Sequence, residues 1–215
     1  YQKVMDLLAY DMVIHQGMSA KTVKMADKAF LIDGLTERPL NPKNMEEDLR
    51  IILDIYNDAW AENWGFVKMT PPEVSYMAKS MKPLLVPELA RIIEINGKPA
   101  AMIVALPDMN EAIKDLNGQV LPFGWAKLLW RLKIQGLSRA RVMLMGIRQD
   151  WRKDLRSSAI AALLVQRLHQ SLKQNHFKSL EMSWILEDNH AMCKLIETLG
   201  GTVYKRYRIF EKDLT

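Results

Sequence analysis

Hydrophobic positions along this 215-residue chain recur at two periods, and the last third shows both. Val142–Ile147 and Leu180–Ile185 are apolar runs of strand length. Between them a basic turn, Arg148–Arg156, leads into Ser157–Asn175, whose apolar residues repeat at helical spacing. A helix led by Asn189 ends at Gly200-Gly201, and alternation in Val203–Phe210 predicts a closing strand. Upstream, Leu49, Ile52, Leu53 and Tyr56 predict an amphipathic helix over Met45–Glu62. Asn44 is its candidate cap, and Glu46, Glu47 and Asp48 sit where the helix dipole favours them. Pro71-Pro72 opens a second helix running to Lys82. Asn96-Gly97, between Arg91–Ile95 and Pro99–Leu106, is the signature of a type I′ hairpin. A short strand is expected at Phe30–Leu35 and a short helix at Asn110–Leu116. Tyr1–Ile14 is apolar-rich, reads as extended, and faintly echoes Tyr204–Leu214. Together these elements predict a mixed α/β fold with one central sheet flanked by helices.

Val120–Leu137 departs from the usual amphipathic pattern. Leu121, Phe123, Trp125, Leu128, Leu129, Trp130, Leu132 and Ile134 are interleaved with Lys127, Arg131 and Lys133, and no acid occurs in the run. Two readings stand: a helix packed on the sheet with snorkelling cations, or a segment bordering an apolar substrate cleft or lying on a membrane surface. Trp60, Trp64, Trp125, Trp130 and Trp184 are expected mainly in the core.

Composition narrows the picture. With 49 % apolar residues the chain can bury a substantial core, and no apolar run is long enough to span a bilayer. Cys193 is the single cysteine, so an internal disulfide and a thiolate zinc cluster are excluded; a cytoplasmic location is the expectation. The four histidines are not paired at metal-binding spacing, and no metal site is expected. Nine of the basic residues fall between Lys127 and Arg156, opposed there only by Asp150 and Asp154. That run suits a phosphorylated ligand, whereas nucleic acid is not expected, because no recognition motif accompanies it. The chain opens on Tyr1, and is expected to be a trimmed piece, with residues 1–29 the tail of an upstream region or an interface segment, Tyr1–Ile14 packing as an orphan strand, and 30–215 the main domain.

A basic loop that opens a helix directly after a strand is an anion site, since free backbone N–H groups and the positive end of the helix dipole converge there. Residues Arg156-Ser157-Ser158-Ala159-Ile160-Ala161 resemble the Arg/Gln-x-x-Gly-x-Gly/Ala loop of the GNAT-type acyl-CoA N-acyltransferases, with Ala159 at the first glycine. A second register would start at Arg152. Asn189-His190-Ala191 through Leu195-Ile196 to Gly200-Gly201 resembles that family's last helix, with Ile196 where many members carry a proton-donating tyrosine. The resemblance covers residues 30–212, and the run Glu181–Asn189 with Trp60 and Trp64 is similar to an uncharacterised bacterial GNAT-like subgroup. It implies an acyl-CoA-dependent N-acyltransferase that uses acetyl-CoA or a longer acyl-CoA. The acceptor would be a small-molecule or lipid amine, with membrane contact through 120–137. The CoA-binding set so implied is Met145, Gly146, Ile147, Arg152, Lys153, Arg156, Ser157, Ser158, Ala159, Ile160, Ala161 and Asn189, with Gly146 fitting a close backbone approach or a bulge. Glu187, then Asp188, are candidate bases, and Tyr204 or Tyr207 would replace the missing acid. The departures at Ala159 and Ile196 leave a second reading open, a non-catalytic ligand-binding module on the same fold.

Overall fold

The structure is a computed structural model that describes residues 1–119, 121–152 and 156–213. Its elements follow in chain order as β1 (Gln2–Val13), α1 (Ala20–Asp27), β2 (Leu35–Pro39), α2 (Met45–Ala59), α3 (Pro71–Met81), β3 (Ala90–Ile95), β4 (Lys98–Pro107), α4 (Met109–Ile113) and α5 (Gly124–Trp130). They continue as β5 (Arg139–Ile147), α6 (Arg156–Gln174), β6 (Ser179–Leu186), α7 (His190–Thr198) and β7 (Thr202–Glu211). All seven strands join one sheet in the order β2-β3-β4-β5-β6-β1-β7. The expected mixed α/β class is what the structure shows.

The hairpin forms as its turn chemistry requires: Asn96 and Gly97 both have positive φ, 53° and 72°. The strand expected at Phe30–Leu35 does not form. Lys28–Leu31 is a 3-10 turn, and Gly34, at φ 72°, turns the chain so that the strand begins at Leu35. β1 is neither an orphan nor a peripheral segment. It pairs antiparallel with β6 on one edge and with β7 on the other, so the two sequence segments that echo one another are direct neighbours. Asp6, fully buried on β1, takes Arg206 at 2.9 Å and Arg208 at 2.8 and 3.0 Å from β7. These arginines, with Lys3, hold the Asp6 carboxyl well below the usual range, against the opposing effect of burial. Residues 1–29 therefore pack as part of the same sheet and, through α1, against α6.

The main core lies between the sheet and α6, whose Ile160, Leu163, Leu164, Leu168 and Leu172 are fully buried, with the helix packed against β3, β4 and β5. A smaller core on the opposite face packs Ile52 and Ile55 of α2 on Ile92, Met102 and Val104. The basic run does not make one positive field, because acids distant in sequence fold onto it. Arg139 meets Asp11 at 2.9 Å and Glu181 at 3.2 Å, Arg148 meets Asp54 at 2.5 Å, and Lys127 and Arg131 share Asp115. The tryptophan expectation is also corrected. Trp64, Trp125, Trp130 and Trp184 are each about half exposed.

His169, buried on α6, hydrogen-bonds the backbone of Ile14 and leaves Nε2 without a partner. Burial pushes its pKa down, and nearby Lys173 adds to that. The native state therefore binds fewer protons than the unfolded chain below the ordinary histidine value of about 6.5, so stability falls as pH drops through that value. Replacing the imidazole removes this linkage. His169→Gln is expected to show a flatter dependence of the thermal midpoint on pH between about pH 7.5 and 5.5; an unchanged slope would contradict the assignment.

Candidate active site

β5 and β6 are parallel, but they pair only from Arg139 to Val142 and from Ser179 to Met182. Beyond that point β5 stays with β4 as far as Ile147, and β6 stays with β1 as far as Leu186. Met143–Ile147 and Ser183–Leu186 thus part from each other. Successive residues of a strand turn their backbone groups to opposite edges. Arg148 N–H bonds Ala100 O on the β4 side at 2.9 Å, so Gly146 faces β4 while Met145 and Ile147 face the gap. Their carbonyls find partners from outside the sheet. Trp60 Nε1 donates to Met145 O at 3.1 Å, and Arg152 Nε donates to Ile147 O at 2.7 Å. The N–H groups of Met145 and Ile147 point the same way.

The gap widens into a cleft of about 870 Å³. Its wall along β5 is Met143–Ile147, its wall along β6 is Ser183–Leu186, and the loop after α2 supplies Trp60, Asn63, Trp64 and Phe66. Tyr56 stacks obliquely on Trp60 at 4.9 Å and edge-on to Phe66 at 5.3 Å, which makes this side one aromatic wall. Ser157, Ser158, Ala161 and Val165 bring the first three turns of α6 to the cleft, while Met192, Leu195 and Ile196 of α7 and Leu199 at its end form its apolar depth. The polar groups on the lining are few: Arg141, Arg152, Ser157, Ser158, Ser183, Asn63, Asn189 and Tyr56. Among the described residues no carboxylate and no histidine lines it.

No protein-family model matches the chain. It is 41 % identical over 215 residues to the protein YghO of Escherichia coli, covering all of this chain and 55 % of that one. It is 38 % identical over 214 residues to the bacterial ceramide synthase of Caulobacter vibrioides, covering 56 % of it. The chain thus spans about half the length of the curated relatives it matches. The crystal structure of a GCN5-related N-acetyltransferase from Sphaerobacter thermophilus superposes with a TM-score of 0.60 at 16 % identity, over 97 % of this chain and 51 % of that one. This is the GCN5-related N-acetyltransferase fold. The resemblance read from Arg156–Ala161 and Asn189–Gly201 therefore agrees with the architecture, and a parted pair of parallel strands beside a helix N-terminus sits at its centre.

Of the residues expected from that resemblance, Met145, Gly146, Ile147, Arg152, Ser157, Ser158, Ala161 and Asn189 line the cleft. Lys153 lies outside the described residues. α6 begins at Arg156, whose guanidinium sits 5.4 Å over the Trp151 ring; neither of these two residues is among those that line the cleft. Ala159 and Ile160 are buried in the core, so the methyl at the family's glycine position faces away from the cleft. Arg152 reaches the cleft, but its N–H groups also tie down Ala59 O and Ile147 O, and it holds the loop as much as it offers charge. Asn189 caps α7 by accepting from Met192 N at 3.2 Å. Ile196 is buried and apolar where a tyrosine was absent.

The expected acid–base residues do not reach the lining. Glu187 accepts from Lys3 at 2.9 Å and from Asp6 N at 3.0 Å, and the Lys3 bond holds its carboxyl below the usual range. Tyr204 donates to Glu181, and burial together with that carboxylate pushes the phenol up. Tyr207 stacks edge-on with Trp184 at 5.8 Å. Gly146 has a different role from the one expected. The bulge in this strand pair falls at Val104/Ala105, and a Cβ on Gly146 would stand 2.8 Å from Ala59 Cβ and 3.4 Å from Met102 Cε. Its missing side chain lets α2 close over β5.

Three groups were not among the expected site residues. Ser183 lines the cleft and donates to Glu181 Oε1 at 2.7 Å, so a buried carboxylate lies one hydroxyl behind the wall. Burial would raise the Glu181 carboxyl, but hydrogen bonds from Tyr204 and Ser183 and the charges of Arg141 and Arg139 bring it below the usual value. Arg141, 5.4 Å over the Trp184 ring, stands at the same end. Their only sequence signal is a Glu-x-Ser alternation on β6 opposite an Arg-x-Arg on β5, which says nothing until the strands are known to pair.

Because Gly146 is packed under α2, Gly146→Ala should cost about 1–3 kcal/mol of stability, the usual range for overpacking. Chemical denaturation measures this, and a variant as stable as the wild type would refute the packing role.

Proposed function

We propose that the chain carries an acyl-CoA-dependent N-acyltransferase site in the cleft between β5 and β6. The carrying observation is the coincidence of a backbone-lined gap with the start of α6. At that helix end the N–H groups of the first turn and the dipole favour a pyrophosphate, and Arg156 and Arg152 add cationic charge. Ser157 and Ser158 supply hydroxyls at the lining. The pantetheine and acyl chain would run between the parted strands, where the N–H groups of Met145 and Ile147 offer donors to the thioester region.

Transfer to an amine needs a neutral nucleophile, donors for the developing oxyanion and a proton for the departing thiolate. Met145 or Ile147 N–H meets the oxyanion. Ser183 passes the amine proton toward Glu181, the carboxylate behind it, and the departing thiolate takes its proton from water. Alignment of two bound reactants supplies much of the rate, which lets a thin acid–base set suffice. The lining is mostly apolar, from the Tyr56–Trp60–Phe66 wall to Ile196 and Leu199, and this favours a long acyl chain or a lipid amine over a small polar acceptor. The name of the Caulobacter relative, a ceramide synthase, supports the same direction.

One observation favours a second reading. No carboxylate or histidine lines the cleft among the described residues, and Ile196 stands where the family places an acid. A binding module that holds acyl-CoA without turnover fits that lining as well.

Titration with CoA, acetyl-CoA and palmitoyl-CoA tests the proposal. All three should raise the thermal midpoint, palmitoyl-CoA most, because a ligand of the native state stabilises by mass action. Arg156→Ala should weaken CoA by about 1–2 kcal/mol, the range of a lost charge-assisted hydrogen bond. Absence of binding by all three refutes the site, whereas binding without acyl transfer to any long-chain amine selects the module.

A further inference from the structure

The segment between β4 and β5 is the part of the molecule that the proposed function does not use. None of its described residues lines the cleft, so the expectation that 120–137 borders the substrate is not met there. The core-covering reading fails as well: α5 has no buried residue. Leu121, Phe123, Trp125, Leu129, Trp130 and Ile134 are each between 50 and 78 % exposed. The segment is tied to the body through Arg131, which donates to Ala112 O at 2.6 Å and pairs with Asp115, and through Lys127, which pairs with the same carboxylate at 2.6 Å.

A water-soluble helix ordinarily buries one face. Six large apolar side chains held in water over fourteen positions form a patch of the kind that marks an interaction surface. The composition favours one occupant. Trp125 and Trp130 are the residue type that settles at the boundary between hydrocarbon and headgroups. Lys114, Lys127, Arg131 and Lys133 are opposed between residues 113 and 137 by Asp115 alone. A patch of apolar rings framed by cations of one sign complements an anionic lipid surface, which supplies both hydrocarbon and negative charge. A protein partner or second copy would have to present matching carboxylates around an apolar hollow. α5 is seven residues long and no helix among the described residues can cross a membrane, so contact would be interfacial.

We propose that residues 121–134 dock this protein on an anionic lipid bilayer. The topology gives the docking a direction. β4 ends at Pro107 opposite Ala140, so the segment leaves and rejoins the sheet where β5 begins. The start of α6 follows the other end of β5. Docking through this segment therefore leaves the anion site facing water, the side from which a soluble thioester arrives.

Co-sedimentation of the protein with vesicles tests this directly, and needs no substrate or turnover. Vesicles of phosphatidylglycerol and phosphatidylethanolamine should be bound at least roughly tenfold more tightly than phosphatidylcholine vesicles, with binding weakened by salt. The variant Phe123→Ser/Trp125→Ser/Trp130→Ser should lose at least roughly tenfold in binding while keeping the wild-type thermal midpoint, since these side chains are exposed. Lys114→Gln/Lys127→Gln should weaken binding and flatten its salt dependence. Absence of binding to the anionic vesicles, or equal binding by the triple variant, overturns the proposal. So does a wild type that is dimeric by sedimentation equilibrium and a triple variant that is monomeric, because the occupant is then a second copy.

Discussion

Two adjacent strands that stop hydrogen-bonding halfway along their length create the constraint on which the site depends. Backbone N–H and C=O groups inside a protein must be paired or the fold loses free energy at each. Past Val142 and Met182 the facing edges of β5 and β6 have no ladder partner. The structure answers from two sides. β4 and β1 hold the outer edges in register, while Trp60 and Arg152 cap the inner carbonyls of Met145 and Ile147. Trp60 stands at the C-terminus of α2, and α2 reaches β5 because residue 146 has no side chain. One glycine thus links the helix, its terminal tryptophan and the open edge of the strand. The N–H groups on that edge, which have no ladder partner on β6, are what an acyl-transfer site requires.

The same opening accounts for the character of the cleft. Once β5 and β6 separate, the space between them is filled from α6 below and α7 beside, both of which present apolar faces. The departures from the family pattern follow from this. Ala159 turns its methyl into the α6 core, so the substitution does not crowd the helix end. Ile196 adds hydrocarbon to the depth of the cleft and removes an acid. The carboxylate behind the wall, Glu181, is screened by Ser183 and held ionised by two arginines and two hydroxyls. The site is therefore built more for holding and aligning than for strong acid–base chemistry.

Local patterns were legible in the sequence where the physics is local. Asn96-Gly97 turned as a type I′ pair, Asn189 capped its helix, and the periodicity of Met45–Ala59 and Arg156–Gln174 named both helices to within a few residues. The placement of β1 was not legible, because strand pairing depends on contacts about two hundred residues apart, such as Asp6 with Arg206 and Arg208. The basic run misled for the same reason: Asp11, Asp54, Asp108 and Glu181 neutralise arginines they never adjoin in sequence. Apolar rings also read as core by type alone, and only the fold distinguishes Trp60, bound to a strand carbonyl, from Trp125 and Trp130 in water. Most of the backbone of the candidate site was legible through the family motif. Its side-chain chemistry was not: Glu187 was drawn off to Lys3 and Asp6, and Ser183, Glu181 and Arg141 had no motif to announce them.

Amide hydrogen exchange in the presence of palmitoyl-CoA addresses the open strand edge most directly. If the cleft binds the thioester through that edge, the amides of Met145 and Ile147 and those of Ser157 to Ala159 should exchange more slowly with ligand than without, while Gly146, already paired with β4, should not change. Protection confined to other parts of the chain, or none at these positions under saturating ligand, would contradict the account.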